Sequence, residues 1–171
     1  LLGEARNKKE LHLRARDSLL MDFDSGTPYS GWVSESRGDG LALGQYKSGK
    51  PEGYLFMWDS KGQIRGWSQN IDGKKEGLWI VWREDGKKKE EINYKNGEPH
   101  GRVTLWHTNG QKKREWTFIL GKLWTAVAWK PNGEKCPVTN VVNGNGVVVL
   151  YKDDGTEKRR VTYKDGKPVE D

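Results

Sequence analysis

Short apolar runs alternate with charged stretches and glycines along most of the chain, and the alternation has a fixed length. Residues 53–76 (GYLFMWDSKGQIRGWSQNIDGKKE), 77–100 (GLWIVWREDGKKKEEINYKNGEPH) and 101–124 (GRVTLWHTNGQKKREWTFILGKLW) align as strings. Each starts with Gly, has Trp five residues later and Gly at nine and at twenty, so Gly53, Gly77 and Gly101 lie 24 apart. A run such as Leu78-Trp79-Ile80-Val81-Trp82 predicts a first strand. Asp85-Gly86, Asn109-Gly110, Asn132-Gly133 and Asp154-Gly155 follow as residues that tolerate positive φ, which tight hairpin turns require. The second strand is polar early and apolar late. Ile92 and Tyr94, Trp116 and Phe118, and Val161 and Tyr163 alternate as one face of a sheet demands. Asn96-Gly97-Glu98-Pro99 ends it, and Lys50-Pro51 and Lys167-Pro168 put proline in equivalent turns, where no ladder bond is lost.

The pattern extends both ways. Gly31, Gly40 and Gly49 mark a shorter copy; Trp129 and Gly133 mark a later one; Gly146, Tyr151, Gly155, Tyr163 and Gly166 restore the spacing with Tyr in the Trp slot. The predicted organisation is an N-terminal tail or cap over 1–18, a half repeat over 19–30, and repeats starting near 31, 53, 77, 101, 124 and 146 that run to 171. Glu4 to Arg16 is charged and reads as a short helix or a tail, and Leu19, Met21 and Phe23 alternate as a first strand would. Residues 136–145 break the spacing and read as a C-terminal cap or a binding loop. A lone hairpin is marginal in water, so copies must stack to bury a continuous surface. The predicted fold is all-β, with tandem ~24-residue hairpins stacked into one elongated, twisted antiparallel sheet. Trp58, Trp82, Trp106, Trp129 and Tyr151 should form its aromatic ladder. Burying ~200 Å² of each Trp contributes about 5 kcal/mol as an upper bound, so a structural role for these rings outweighs a ligand platform.

The string G-x-x-x-x-W-x-x-x-G, followed by Y-K-N-G-E-P-H-G from Tyr94 to Gly101, resembles the MORN-repeat variant family. Within it, the chain is similar to bacterial YwqK-type antitoxins over roughly residues 20–171. The resemblance implies a β-hairpin repeat fold and a non-enzymatic binding or scaffold role, antitoxin-like in its narrowest form.

Composition sharpens this. Hydrophobic residues make up only 33%, yet there are nine Trp and 22 Gly, which suits a thin architecture that buries area through large rings. Thirty Lys and Arg against 24 Asp and Glu leave a net charge of +6, which favours anionic partners. In the 24-residue register Arg65, Lys89, Lys113 and Lys158 share one slot and predict a basic column. It could meet an acidic protein or the anionic headgroups of a membrane surface, with nucleic acid disfavoured. Glu90, Glu91, Glu115 and Glu157 offset it, and the plainer reading is a solvated edge kept basic against aggregation, although the open ends of such a sheet still invite edge-to-edge self-association. Trp32, Trp67, Trp79 and Trp124 fall outside the ladder and are candidates for exposed, glycan-stacking rings.

Catalysis has little support. His12, His100 and His107 do not cluster in sequence and lie in tail or turn-like segments; His100 occupies the slot of Glu52 and Glu76. No metalloprotease, nucleophile-elbow or phosphate-loop string occurs. Cys136 is alone, which excludes an internal disulfide and a cysteine metal cluster. Asp153-Asp154, or Asp22 with Asp24, could suggest a cation, but hairpin turns ordinarily carry Asp. No cofactor is expected. No run approaches 18 apolar residues. A start at Leu1 rather than Met reads as a processed or truncated product, which leaves both a bacterial cytoplasmic and an exported location open.

Overall fold

The computed structural model describes residues 6–7, 11–14, 19–22, 24–38 and 40–169. Among them every regular element is a β-strand, as the repeat requires. The chain divides into two compact units, residues 1–79 and 80–171.

In the first unit β4 (Gly31–Arg37), β5 (Gly40–Lys47), β6 (Lys50–Trp58) and β7 (Ile64–Ile71) pair antiparallel in sequence order. β1 (Arg6–Asn7) adds to β4 in parallel, with Arg6 opposite Val33. β2 (Leu11–Arg14) and β3 (Leu19–Asp22) form a separate hairpin. These strands replace the helix or tail read over residues 4–16, whose remaining positions lie outside the described residues, as does Phe23 of the expected first strand. The hairpin is tied down by the Leu20 N–H, which donates to the Gly49 carbonyl at 2.8 Å. A Cβ at Gly49 would come within 2.8 Å of the Leu20 carbonyl oxygen, so only glycine allows that approach. Leu20 and Val33 are buried there, with Tyr29 and Tyr46 against them.

β8 (Lys74–Trp82) runs across the division of the chain. In the second unit β9 (Lys88–Lys95), β10 (Glu98–Trp106), β11 (Lys112–Ile119) and β12 (Lys122–Ala128) pair in succession. β13 (Asn140–Val142), β14 (Asn145–Tyr151), β15 (Glu157–Lys164) and β16 (Lys167–Pro168) continue it. The irregular stretch 136–145 is therefore not a terminal cap: residues 136–139 connect, and Asn140–Val142 is a mid-sheet strand, with Val141 buried between β12 and β14 and the Thr139 hydroxyl accepting the Val149 N–H at 2.9 Å.

The hairpins close with two kinds of turn. Ser48-Gly49, Asp72-Gly73, Asn96-Gly97, Leu120-Gly121, Asn143-Gly144 and Asp165-Gly166 have positive φ at both residues, 48 to 53° at the first. These are the tight two-residue turns whose twist matches the flanking strands. At the opposite strand ends, Asp85, Asn109, Asn132 and Asp154 do not adopt the positive φ expected of them; only the following glycine does. Their carboxyl or amide oxygens instead accept the backbone N–H two residues on, as Asp154 does from Thr156 at 2.8 Å. The longer turn leaves a bulge in the strand before it. Register slips at Met57/Trp58, Leu105/Trp106 and Leu150/Tyr151, so the repeat aromatic sits at a bulge that re-aims its side chain.

Candidate functional site

Residues opposite one another in register share a face. In the first unit Ser36 faces Leu41, Leu41 faces Trp58, Leu43 faces Phe56, and Phe56 faces Trp67; Trp32 lies on the Ser36 side of β4. That face is a field of rings. The centroids of Tyr54 and Phe56 are 6.0 Å apart, those of Phe56 and Trp58 5.8 Å, and those of Tyr54 and Trp67 6.2 Å. Trp32, Leu41, Leu43, Phe56 and Trp58 line an open groove of about 830 Å³. Tyr54 beside it is 46% exposed. Asp59, the one carboxylate among the described residues that line the groove, is ion-paired with Arg65 and accepts the N–H groups of Lys61 and Gln63, so it offers little free charge.

The filled face of the second unit is the opposite face of the repeat: Val103 and Trp116 take the slots of Leu55 and Ser68, while the slots of Phe56 and Trp67 hold Thr104 and Glu115. Trp116 pairs with Val103 and Ala126, Val141 with Ala126, and Val148 with Val161. Leu123, Ala126, Val141 and Val148 are buried together, and Trp116, Phe118, Leu150 and Tyr163 pack against them. The Arg114 guanidinium lies 4.4 Å from the Trp116 ring centre, and its burial lowers the arginine pKa from the ordinary value.

A cluster that the sequence did not mark is centred on His107. The residue begins a turn, yet its side chain is 1% exposed. Nε2 donates to the Trp129 carbonyl at 2.9 Å, and Nδ1 lies 3.2 Å from Asp153 Oδ1. Lys113 Nζ reaches the same carboxylate oxygen at 3.1 Å. The His107 bond, then that of Lys113, holds the Asp153 carboxyl below the usual carboxylate range. Arg83, one repeat earlier, does the same job as His107: its Nη2 donates to the Trp106 carbonyl at 2.7 Å. In these two repeats the slot after the aromatic thus clasps the backbone of the next hairpin, a link visible in the sequence only as a polar residue following Trp. His100 has a comparable duty. Its Nδ1 accepts the Leu120 N–H at 3.3 Å, as Glu52 accepts that of Asp72 at 2.7 Å.

The four slots of the predicted basic column have different surroundings. Arg65 is paired with Asp59 and Lys113 with Asp153, while Lys89 and Lys158 are exposed. Neighbouring cations are also matched, Lys88 to Glu91, Lys112 to Glu115 and Arg160 to Glu157. Lys88 and Lys112 also stand 5.7 Å from the ring centres of Trp106 and Trp129. Trp58 and Trp82 are half-buried, and the Tyr151 hydroxyl bonds Cys136 Sγ at 2.9 Å; that bond first, then burial, pushes the phenol up to about 12. Of the four rings expected to be exposed, Trp124 is, whereas Trp32, Trp67 and Trp79 are half-buried, Trp79 under the Lys75 ammonium at 4.0 Å. Among the described residues no group of three His, Cys, Asp or Glu is placed to hold a metal, and no helix is long and apolar enough to cross a membrane.

Hairpins joined by glycine turns, with aromatic faces and clasped backbones, define a β-hairpin repeat module. Residues 75–96 and 99–119 match the family model of the MORN repeat variant, a non-enzymatic repeat that generally serves in protein or membrane binding. No curated protein matches the chain at a significant level.

Proposed function

We propose that this protein is a non-enzymatic protein-interaction module that holds another protein against its sheet. The observation that carries the reading is the open aromatic groove of the first unit, where Trp32, Phe56 and Trp58 stay only half-buried beside an exposed Tyr54. Aromatic side chains are enriched at interface centres because each buries a large area at low entropic cost. The two MORN-variant repeats support the same reading. An antitoxin is one form of it, in which the partner's active surface is masked. Affinity capture from the source cells with the wild-type chain and with Phe56→Ser tests the module. A specific protein retained by the first and lost by the second is expected; identical recovery by both, or none, rejects it. If the captured protein is toxic when expressed alone, co-expression should restore growth, and unchanged toxicity removes the antitoxin form.

Anionic phospholipid is a second reading, favoured by charge: residues 80–171 carry 18 Lys and Arg against 13 Asp and Glu. Sedimentation with neutral and acidic vesicles separates the two readings, since equal binding to both removes the electrostatic mechanism. Glycan stacking has narrower support, in the Trp32 groove and the exposed Trp124.

A further inference from the structure

Among the described residues, five of the six tight turns begin with Ser, Asp or Asn, residues that enter the left-handed region at small cost. The sixth begins with Leu120, at φ 48°. Leucine gains nothing locally from that conformation, and here it gains nothing from burial, since it is 70% exposed. A strained backbone that presents an apolar side chain to water breaks two rules at once without a return inside the fold.

Its surroundings share the character. Ile119 and Trp124 are exposed, and Val142 is 57% exposed. The Trp124 carbonyl accepts the Gly144 N–H at 2.9 Å, which brings the strand after the Leu120 turn beside the Asn143-Gly144 turn. Ile119, Leu120 and Trp124 line a depression of about 330 Å³ together with Lys122, Asn143 and Asp165. Lys164 and Lys167, both exposed, flank the Asp165-Gly166 turn, whose backbone packs on Lys122. Among the described residues these three lysines stand against two carboxylates, Asp165 and the Glu98 carboxylate that lies beside Gly121, and leave the rim net positive.

We propose that this patch docks an acidic protein segment, which seats one apolar side chain beside Leu120 and Trp124 and sets its carboxylates against Lys122, Lys164 and Lys167. The proposal rests on the reading of the chain as a protein-interaction module and adds a second surface with a partner chemistry of its own. A concave apolar seat with an anionic residue in its lining suits a side chain better than a sheet of anionic headgroups.

The test is selection of a random-peptide phage library on the full chain, followed by fluorescence polarisation of the enriched peptides. Leu120→Asn is the decisive variant, because it restores the turn residue of the other hairpins and should fold at least as well. Enriched peptides should share an aromatic or aliphatic residue next to Asp or Glu. They should bind Leu120→Asn and Trp124→Ser about 10-fold more weakly, and weaken in molar salt, where the Debye length is ~3 Å. Peptides without acidic residues, or with equal affinity for Leu120→Asn, overturn the patch. So does full competition by phosphatidylserine vesicles, which would make it a bilayer site. Peptides that ignore Leu120→Asn but lose affinity for Phe56→Ser remove this patch and leave the groove reading standing; no enrichment at all removes both.

Discussion

The two units carry versions of one repeat, yet the rings gather on opposite faces of it: the open face of the first holds Phe56 and Trp67, whose slots hold Thr104 and Glu115 in the second, while the packed face of the second holds Val103 and Trp116, whose slots hold Leu55 and Ser68 in the first. In the packed face, rings alternate with small residues. Trp116 and Phe118 on β11 meet Ala126 and Leu123 on β12, then Val141 on β13, and Tyr163 on β15 lies opposite Gly146 on β14. Large against small lets side chains interdigitate at the density of a protein interior. In the open face, adjacent strands β6 and β7 bring Tyr54, Phe56, Trp58 and Trp67 together, and the facing strand β5 offers Leu41 and Leu43. Rings beside rings leave a groove. Charge divides in the same way: residues 1–79 hold 12 Lys and Arg against 11 Asp and Glu, so the basic excess lies in the second unit. The lesson is that the repeat fixes strands and turns, while the residues that fill its slots decide which face collects the rings and whether small neighbours let them pack.

That contrast is breakable. The largest effect should come from Leu123→Ala in the packed face. Leu123 is almost fully buried, and the cavity should cost about 3 kcal/mol in denaturant unfolding; a loss under ~1 kcal/mol would mean that the face is not a core. His107→Ala should follow, at about 2 kcal/mol, because it removes a buried ring, takes the imidazole donor from the Trp129 carbonyl and leaves Asp153 with Lys113 alone. The same cluster predicts an acid limb. Asp153 has a depressed folded pKa, so its contribution is present above the unfolded carboxylate value of ~3.9 and is lost as pH falls through the folded one. In thermal melts Asp153→Asn should be less stable than wild type near neutrality, and the two should converge in acid; parallel curves would remove the linkage.

Phe56→Ala in the open groove should be milder, about 1 kcal/mol, since the ring is only half-buried. A cost equal to that of Leu123→Ala would erase the distinction between the faces. The smallest effect should be a gain: Leu120→Asn should stabilise by about 0.5–1 kcal/mol by relieving the left-handed leucine. Destabilisation would show that Leu120 is held by contacts after all.

Much of this was legible in the residues. The spacing of Gly53, Gly77 and Gly101 with Trp58, Trp82 and Trp106 gave hairpins of the right length and order, because glycine at fixed intervals and period-two apolar residues have few other solutions. Asp85-Gly86 was read as a tight turn and is a longer one: it and Asn96-Gly97 look alike as dipeptides, and only the hydrogen bonds around them tell a bulged turn from a tight one. Residues 136–145 broke the pattern yet contain β13, since Thr139 could satisfy the Val149 backbone that a missing strand would have left bare. His107 gave no signal, because its partners Trp129 and Asp153 lie 22 and 46 residues away.

By itself, the sequence determined the local events: where strands start, where they turn, and that copies must stack, since φ restrictions and side-chain alternation act within a few residues. Tertiary structure alone decided which lysines are spent on carboxylates, which rings are covered, and that a leucine stands exposed in a strained turn. Those outcomes depend on which side chains a neighbouring hairpin brings opposite, and that is a matter of register and size rather than of any one residue's preference.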